Sequence, residues 1–204
     1  QGLLMRDLSG VLITHAHHDH GNILTLQRIL RASVPVYCAP GVKNVFERDL
    51  PQCNGFPFRI FSKKSFFVGS FNVSTFEVDH DSEGGCFGFC LISGKGEDAK
   101  KISIVTDYGP PGKKLAIRLV DSHLILMASN YDTEMIKSSR VVPDYVKQRH
   151  ILPFQPSNEI CADILLEALQ RSQVLPKVVY LLHISQNHNT ADKAVTQLRQ
   201  ALDS

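Results

Sequence analysis

The stretch "VLITHAHHDHGN", residues 11–22, gathers His15, His17, His18, Asp19 and His20 within six residues. The apolar run before them reads as a short buried strand. "NILTLQRILRA" after them sets Ile23, Leu26, Ile29 and Leu30 at helical spacing. The cluster therefore belongs to a strand-to-helix loop. A surface loop gains no stability from crowded imidazoles, and protonated ones repel each other. A doubly charged cation among them reverses that sign. The chain is thereby constrained to folds in which a buried strand delivers a loop of donors to a metal. Neutral imidazole with carboxylate suits zinc, and also manganese or iron. The pattern differs from His-Glu-x-x-His, whose two histidines share one helical face.

Three further strands end in the same kind of residue. "FEVDH" runs to His80, "SIVTD" to Asp107 and "VYLLH" to His183. Asp107 followed by Tyr108-Gly109 could by itself be a turn, but together these residues serve two ions with a carboxylate bridging them. Such pairs activate water and stabilise a leaving oxygen in hydrolysis. Elsewhere "VPVYCAP" reads as a strand stopped by Pro40, "GVKNVFERDL" as a helix, and "FRIFSKKSFFVGSFNVSTFEVDH" as two or three strands with a turn at "VGS". "GCFGFCLIS", "KKISIVTD" and "HLILMASN" are further strands. Ser157 and Thr190 are candidate N-caps for two late amphipathic helices. Meander-like strand runs with helices before and after them predict an α+β fold of packed layers.

Composition excludes several classes. At 204 residues the chain suits one domain with a sizeable core, and 43% hydrophobic with 21% charged residues reads as soluble and globular. A net charge of +2 does not by itself call for nucleic acid. Five cysteines, an odd number without a Cys-x-x-Cys pair, read as reduced thiols and a cytoplasmic setting. No apolar run spans a bilayer or makes a secretory signal. Lys63-Lys64, Lys100-Lys101 and Lys113-Lys114, with Arg140, Lys147 and Arg149, could meet phosphates. Tryptophan is absent and no aromatic interleaving for base stacking is evident.

"THAHHDHG", "DHDS", "TDYG" and "LLHIS", in that order, resemble the metallo-β-lactamase fold superfamily. "ASNYDTEMI", "YVKQRHI", "PSN" and "LLHISQNHNTADKA" are most similar to its WalJ/YycJ-type hydrolases, relatives of the RNase Z and β-CASP nucleases. The resemblance runs over residues 8–202. It implies an αββα sandwich holding two divalent metal ions, zinc first among them. It implies that His15, His17 and His80 bind one ion, that Asp19, His20 and His183 bind the other, and that Asp107 bridges both. His18 falls at a variable position. A hydroxide held between the ions would attack a phosphodiester of DNA or RNA. Asp19, Asp107 and Tyr131 are the catalytic candidates, and Thr14, Asp81 and Thr106 stand where groups orienting the ligands belong.

The chain departs from the resemblance in places. Asn130-Tyr131-Asp132 stands where these proteins read Asn-His-Asp, and Phe154-Gln155-Pro156-Ser157-Asn158 where they read Gly-His-Leu-Ser-Asn. Each change removes a histidine that could protonate a leaving group or hold a phosphate. Members of the fold also begin with strands that precede the first metal loop, so a longer native protein, or another chain covering that sheet edge, is expected. Beside the phosphodiesterase stand two alternatives: hydrolysis of a small (thio)ester, lactone or cyclic phosphate, and a catalytically weakened metal-binding module.

Overall fold

The computed structural model describes residues 4–61, 65–110 and 114–203. Lys63, Lys64 and Lys113 of the basic pairs lie outside the described residues. The chain divides into two compact units, residues 1–77 with 82–87, and residues 78–81 with 88–204. Both mix strands and helices, as an α+β chain should.

In the first unit, β1 (Val11–Leu12), β2 (Val36–Cys38) and β3 (Arg59–Ile60) form a parallel sheet, with Leu12 opposite Tyr37 and Cys38 opposite Ile60. Parallel neighbours need crossovers. The first crossover carries α1 (Ile23–Arg31) and the second carries α2 (Pro40–Asp49). Pro40 thus does not merely stop β2. It occupies the first turn of α2, where its missing N–H costs nothing. Asn22 caps α1 through its Oδ1, which accepts from the N–H groups of Leu24 and Thr25. Leu26 and Ile29 of α1, Val42 and Phe46 of α2, and Val36 of β2 are each buried. β4 (Phe66–Val68) and the start of β5 (Phe71–Val78) make an antiparallel hairpin. Its turn uses Gly69 at φ +57°, a value L side chains rarely take.

In the second unit, β6 (Cys86–Ser93) pairs antiparallel with β7 (Lys100–Val105). β7, β8 (Leu124–Ala128) and β9 (Val178–Leu182) then run parallel. α3 (Lys114–Leu119) links β7 to β8. α4 (Thr133–Ser138), α5 (Asp144–Val146), a π-turn (Lys147–Ile151) and α6 (Asn158–Gln170) link β8 to β9, and α7 (Ala191–Leu202) ends the chain. Ser157 and Thr190 cap α6 and α7 as expected. Val105, Ile125 and Met127 of the sheet and Cys161, Leu165 and Ala168 of α6 are buried. Parallel pairing has one consequence for function: the carboxyl ends of β7, β8 and β9 open at the same end of the sheet. Among the described residues no helix is long and apolar enough to cross a membrane.

Candidate metal centre

The donor loop follows β1. The regular strand stops at Leu12, three residues before His15, rather than running into it. The chain nevertheless stays extended. Ile13 N–H donates to the Tyr37 carbonyl at 2.9 Å, and the Thr14 carbonyl accepts from Phe87 N–H at 3.0 Å. His15 thus enters the loop from a held backbone and is wholly buried. Its ring centroid lies 4.7 Å from that of His17 and 4.2 Å from that of His20. The Thr14 hydroxyl lies 3.0 Å from His15 Nδ1 and 3.4 Å from His20 Nδ1, and Cys86 Sγ lies 3.6 Å from His15 Nδ1. A hydroxyl accepting from Nδ1–H leaves Nε2 as the metal-binding nitrogen. Asp19, its side chain 66% exposed, sets Oδ2 3.5 Å from His20 Nε2. The loop closes at Gly21, whose N–H donates to the His17 carbonyl at 2.8 Å. A Cβ there would strike the Phe46 ring. His18 Nε2 lies 3.2 Å from the Asn22 amide nitrogen.

The second unit has donor residues of its own. Asp107 lies two residues beyond β7 and His183 one residue beyond β9, so parallel pairing brings both to the same sheet end. His183 Nε2 is 3.4 Å from Asp107 Oδ1, and the Asp107 side chain is only 2% exposed. His183 takes φ +53°, a left-handed conformation a histidine rarely adopts. Asn130, just past β8, holds it there: its Nδ2 donates to the His183 carbonyl at 3.0 Å and lies 3.1 Å from Nδ1. Strain at a strand end with a dedicated partner is characteristic of functional positions. His80 follows β5 and gives its Nδ1–H to the Phe154 carbonyl at 2.9 Å, which makes Nε2 the basic nitrogen.

The remaining sequence candidates have the following surroundings. Asp81 pairs with His150, 3.2 Å from its Nδ1. The Thr106 hydroxyl is buried without a hydrogen-bond partner among the described residues. Tyr131 is buried and forms an isolated bridge with Ser157, and burial, with Glu159 nearby, raises its pKa. Lys147 is not a surface cation: its ammonium is buried and donates to the Ser139 carbonyl at 2.6 Å and to Asp144 at 2.9 Å. Arg140 and Arg149 are exposed. Gln155 has a contact that its sequence does not announce: its Nε2 donates to Asp107 Oδ1 at 2.9 Å. Phe154 acts through its carbonyl, which no sequence signal identifies.

The donors fit a divalent metal. Imidazole and carboxylate are the ligand types such ions take, and His80 shows the tautomer, fixed by a backbone carbonyl, that metal-binding histidines need.

A family model described as a β-lactamase superfamily domain matches residues 2–184. Exodeoxyribonuclease YycJ of Bacillus anthracis is 27% identical over 208 residues, spanning 98% of this chain and 73% of that protein. The metallo-β-lactamase fold protein YhfI from Bacillus subtilis matches with a TM-score of 0.66 at 14% identity, over 97% of this chain and 73% of that one. The short form of human tRNase Z matches with a TM-score of 0.61 at 18% identity, over 91% and 76%.

Proposed function

We propose that this chain, which belongs to the β-lactamase superfamily, is a dinuclear metal-dependent phosphodiesterase that acts on DNA or RNA. Its fold is the mixed α and β metallo-β-lactamase fold, whose relatives are metal-dependent hydrolases. The observation that carries the proposal is the loop in which the His17 and His20 rings flank buried His15. That crowding has no use without a cation. We assign one ion to His15, His17 and His80, the other to Asp19, His20 and His183, and Asp107 to both. Zinc is our choice, because five imidazoles and two carboxylates suit it.

Two such ions supply an activated water and offset charge on phosphate oxygens. The protein's own groups do the rest. The Phe154 carbonyl keeps the His80 proton on Nδ1, and Asn130 holds His183 at the sheet end. Asp19 and Asp107 set negative charge where cations are to be held. The Tyr131 hydroxyl, protonated at neutral pH as an ordinary tyrosine is, can donate a hydrogen bond to a leaving oxygen. The substrate class is supported by YycJ, an exodeoxyribonuclease, and by tRNase Z. Five cysteines free of disulfides support a cytoplasmic setting.

Zinc- or manganese-loaded protein should be assayed on end-labelled DNA and RNA beside thioester, lactone and cyclic-phosphate substrates, with Asp107→Asn as blank. Oligonucleotide turnover that weakens with salt is expected. Turnover confined to the small substrates, or two bound ions without any turnover, would overturn the proposal.

A further inference from the structure

The loops after β5 and β7 are held by one stretch of chain, residues 147–155. The Phe154 carbonyl accepts from His80, Gln155 donates to Asp107, and His150 pairs with Asp81. Gly109 lies so close to the Pro153 carbonyl that a Cβ there would collide with it. Within this clamp one contact reaches a carboxylate assigned to both ions. Resting on the metal-centre reading above, we infer that Gln155 is a positioning residue for Asp107: its amide fixes the plane in which that carboxylate meets the cations.

The inference follows from what a buried carboxylate needs. The terminal torsion of aspartate is broad and roughly two-fold, so burial alone does not set the plane of its oxygens. A donor 2.9 Å from Oδ1 does. Lysine or arginine at position 155 would also orient Asp107, but its charge would compete with the ions. A neutral amide orients the carboxylate and leaves its charge available. The direction of the amide is chemically imposed, since only its NH₂ can donate to an anion. Gln155 Oε1 is meanwhile buried and without a partner among the described residues. Glutamine here therefore does more than mark the loss of a histidine.

The test is competitive titration of the metal-free full chain with zinc, comparing wild type, Gln155→Met, Asp107→Asn and the double variant. The cobalt-loaded visible spectrum serves as a second readout. Gln155→Met should weaken zinc binding by about 10- to 100-fold, as loss of a group orienting a ligand does, and should shift the cobalt bands. In the Asp107→Asn background it should add nothing, because both changes act on one carboxylate. If Gln155→Met lacks native circular dichroism without metal, Gln155→Asn, whose amide falls short of Asp107, carries the same expectation. Wild-type affinity and spectrum in the variant that folds, or equal losses in both backgrounds, would overturn the inference. Wild-type protein that holds two zinc ions yet leaves oligonucleotides intact would sink the nuclease proposal and leave this inference standing.

Discussion

At the scale of single residues, function concentrates where charge is buried. Asp107 is nearly inaccessible and meets a neutral donor, Gln155, and a histidine, His183. If Asp107 bridges two cations as proposed, an amide in its place makes a poor bridge. Asp107→Asn should therefore drop zinc stoichiometry below two and cut turnover by about 10²-fold or more, the scale of losing one group aimed at transition-state charge. Metal analysis and kinetics on one preparation check both, and wild-type metal content would reduce Asp107 to a turn residue. Tyr131 tests differently. If its hydroxyl donates to the leaving oxygen, Tyr131→Phe should lower kcat by about 10²-fold, the lower range for general acids, with zinc retained. Unchanged kcat would return Tyr131 to packing beside Ser157. The proposed ligands His15, His17, Asp19, His20, His80, Asp107 and His183 stand out in the sequence, because they are dense or follow apolar runs. Gln155 is not legible in the same way. A glutamine has no period or spacing that betrays its partner 48 positions away.

At the scale of elements, the parallel run of β7, β8 and β9 brings Asp107 and His183 together, and residues 147–155 brace that end. The brace depends on glycine at position 109. Gly109→Ala would push its methyl into the Pro153 carbonyl. It should cost about 1–3 kcal/mol, the usual range for overpacking. It should also weaken zinc binding, since Phe154 and Gln155 must move with Pro153. Thr190→Ala offers the contrast. It removes the N-cap of α7, whose Oγ1 accepts from Lys193 N–H at 3.2 Å. It should cost about 1 kcal/mol in urea denaturation and leave zinc affinity unchanged. Equal zinc affinity in Gly109→Ala and Thr190→Ala would mean the turn does not brace the ligands. The π-turn at Lys147–Ile151 has no signal in the sequence, and it begins at Lys147, whose buried ammonium donates to Ser139 and Asp144.

At the scale of the whole molecule, metal and pH act on global stability. Ions that bind only the folded chain stabilise it by mass action, about 2.7 kcal/mol per site at a free concentration a hundredfold above Kd. Chelated protein should accordingly melt below zinc-loaded protein, and the difference should vanish in Asp107→Asn if both sites fail there. Calorimetry with and without chelator decides this. Buried thiols set an alkaline limit. Burial lifts Cys38 and Cys161 to about 12 from an ordinary 9.0. The unfolded chain releases these protons first, so their contribution is complete below pH 9.0 and is lost as pH rises toward 12. The urea midpoint should fall above pH 9 and fall less steeply in Cys161→Ala. A flat midpoint up to pH 11 would contradict it.

The sequence by itself determined the chemistry and the local elements. Crowded imidazoles call for a cation whatever surrounds them, the 3.6-residue spacing of Ile23, Leu26, Ile29 and Leu30 needs only local geometry, and Ser157 and Thr190 act on N–H groups three residues away. Tertiary structure alone decided which nitrogen of His80 faces the Phe154 carbonyl, that His183 takes a left-handed backbone, that Lys147 is buried, and that Gln155 reaches Asp107. Each of these rests on a contact between residues distant in the chain or on the shape of the cavity that receives a side chain. Such contacts exist only after strands have paired and helices have packed, and no local pattern of residues encodes them.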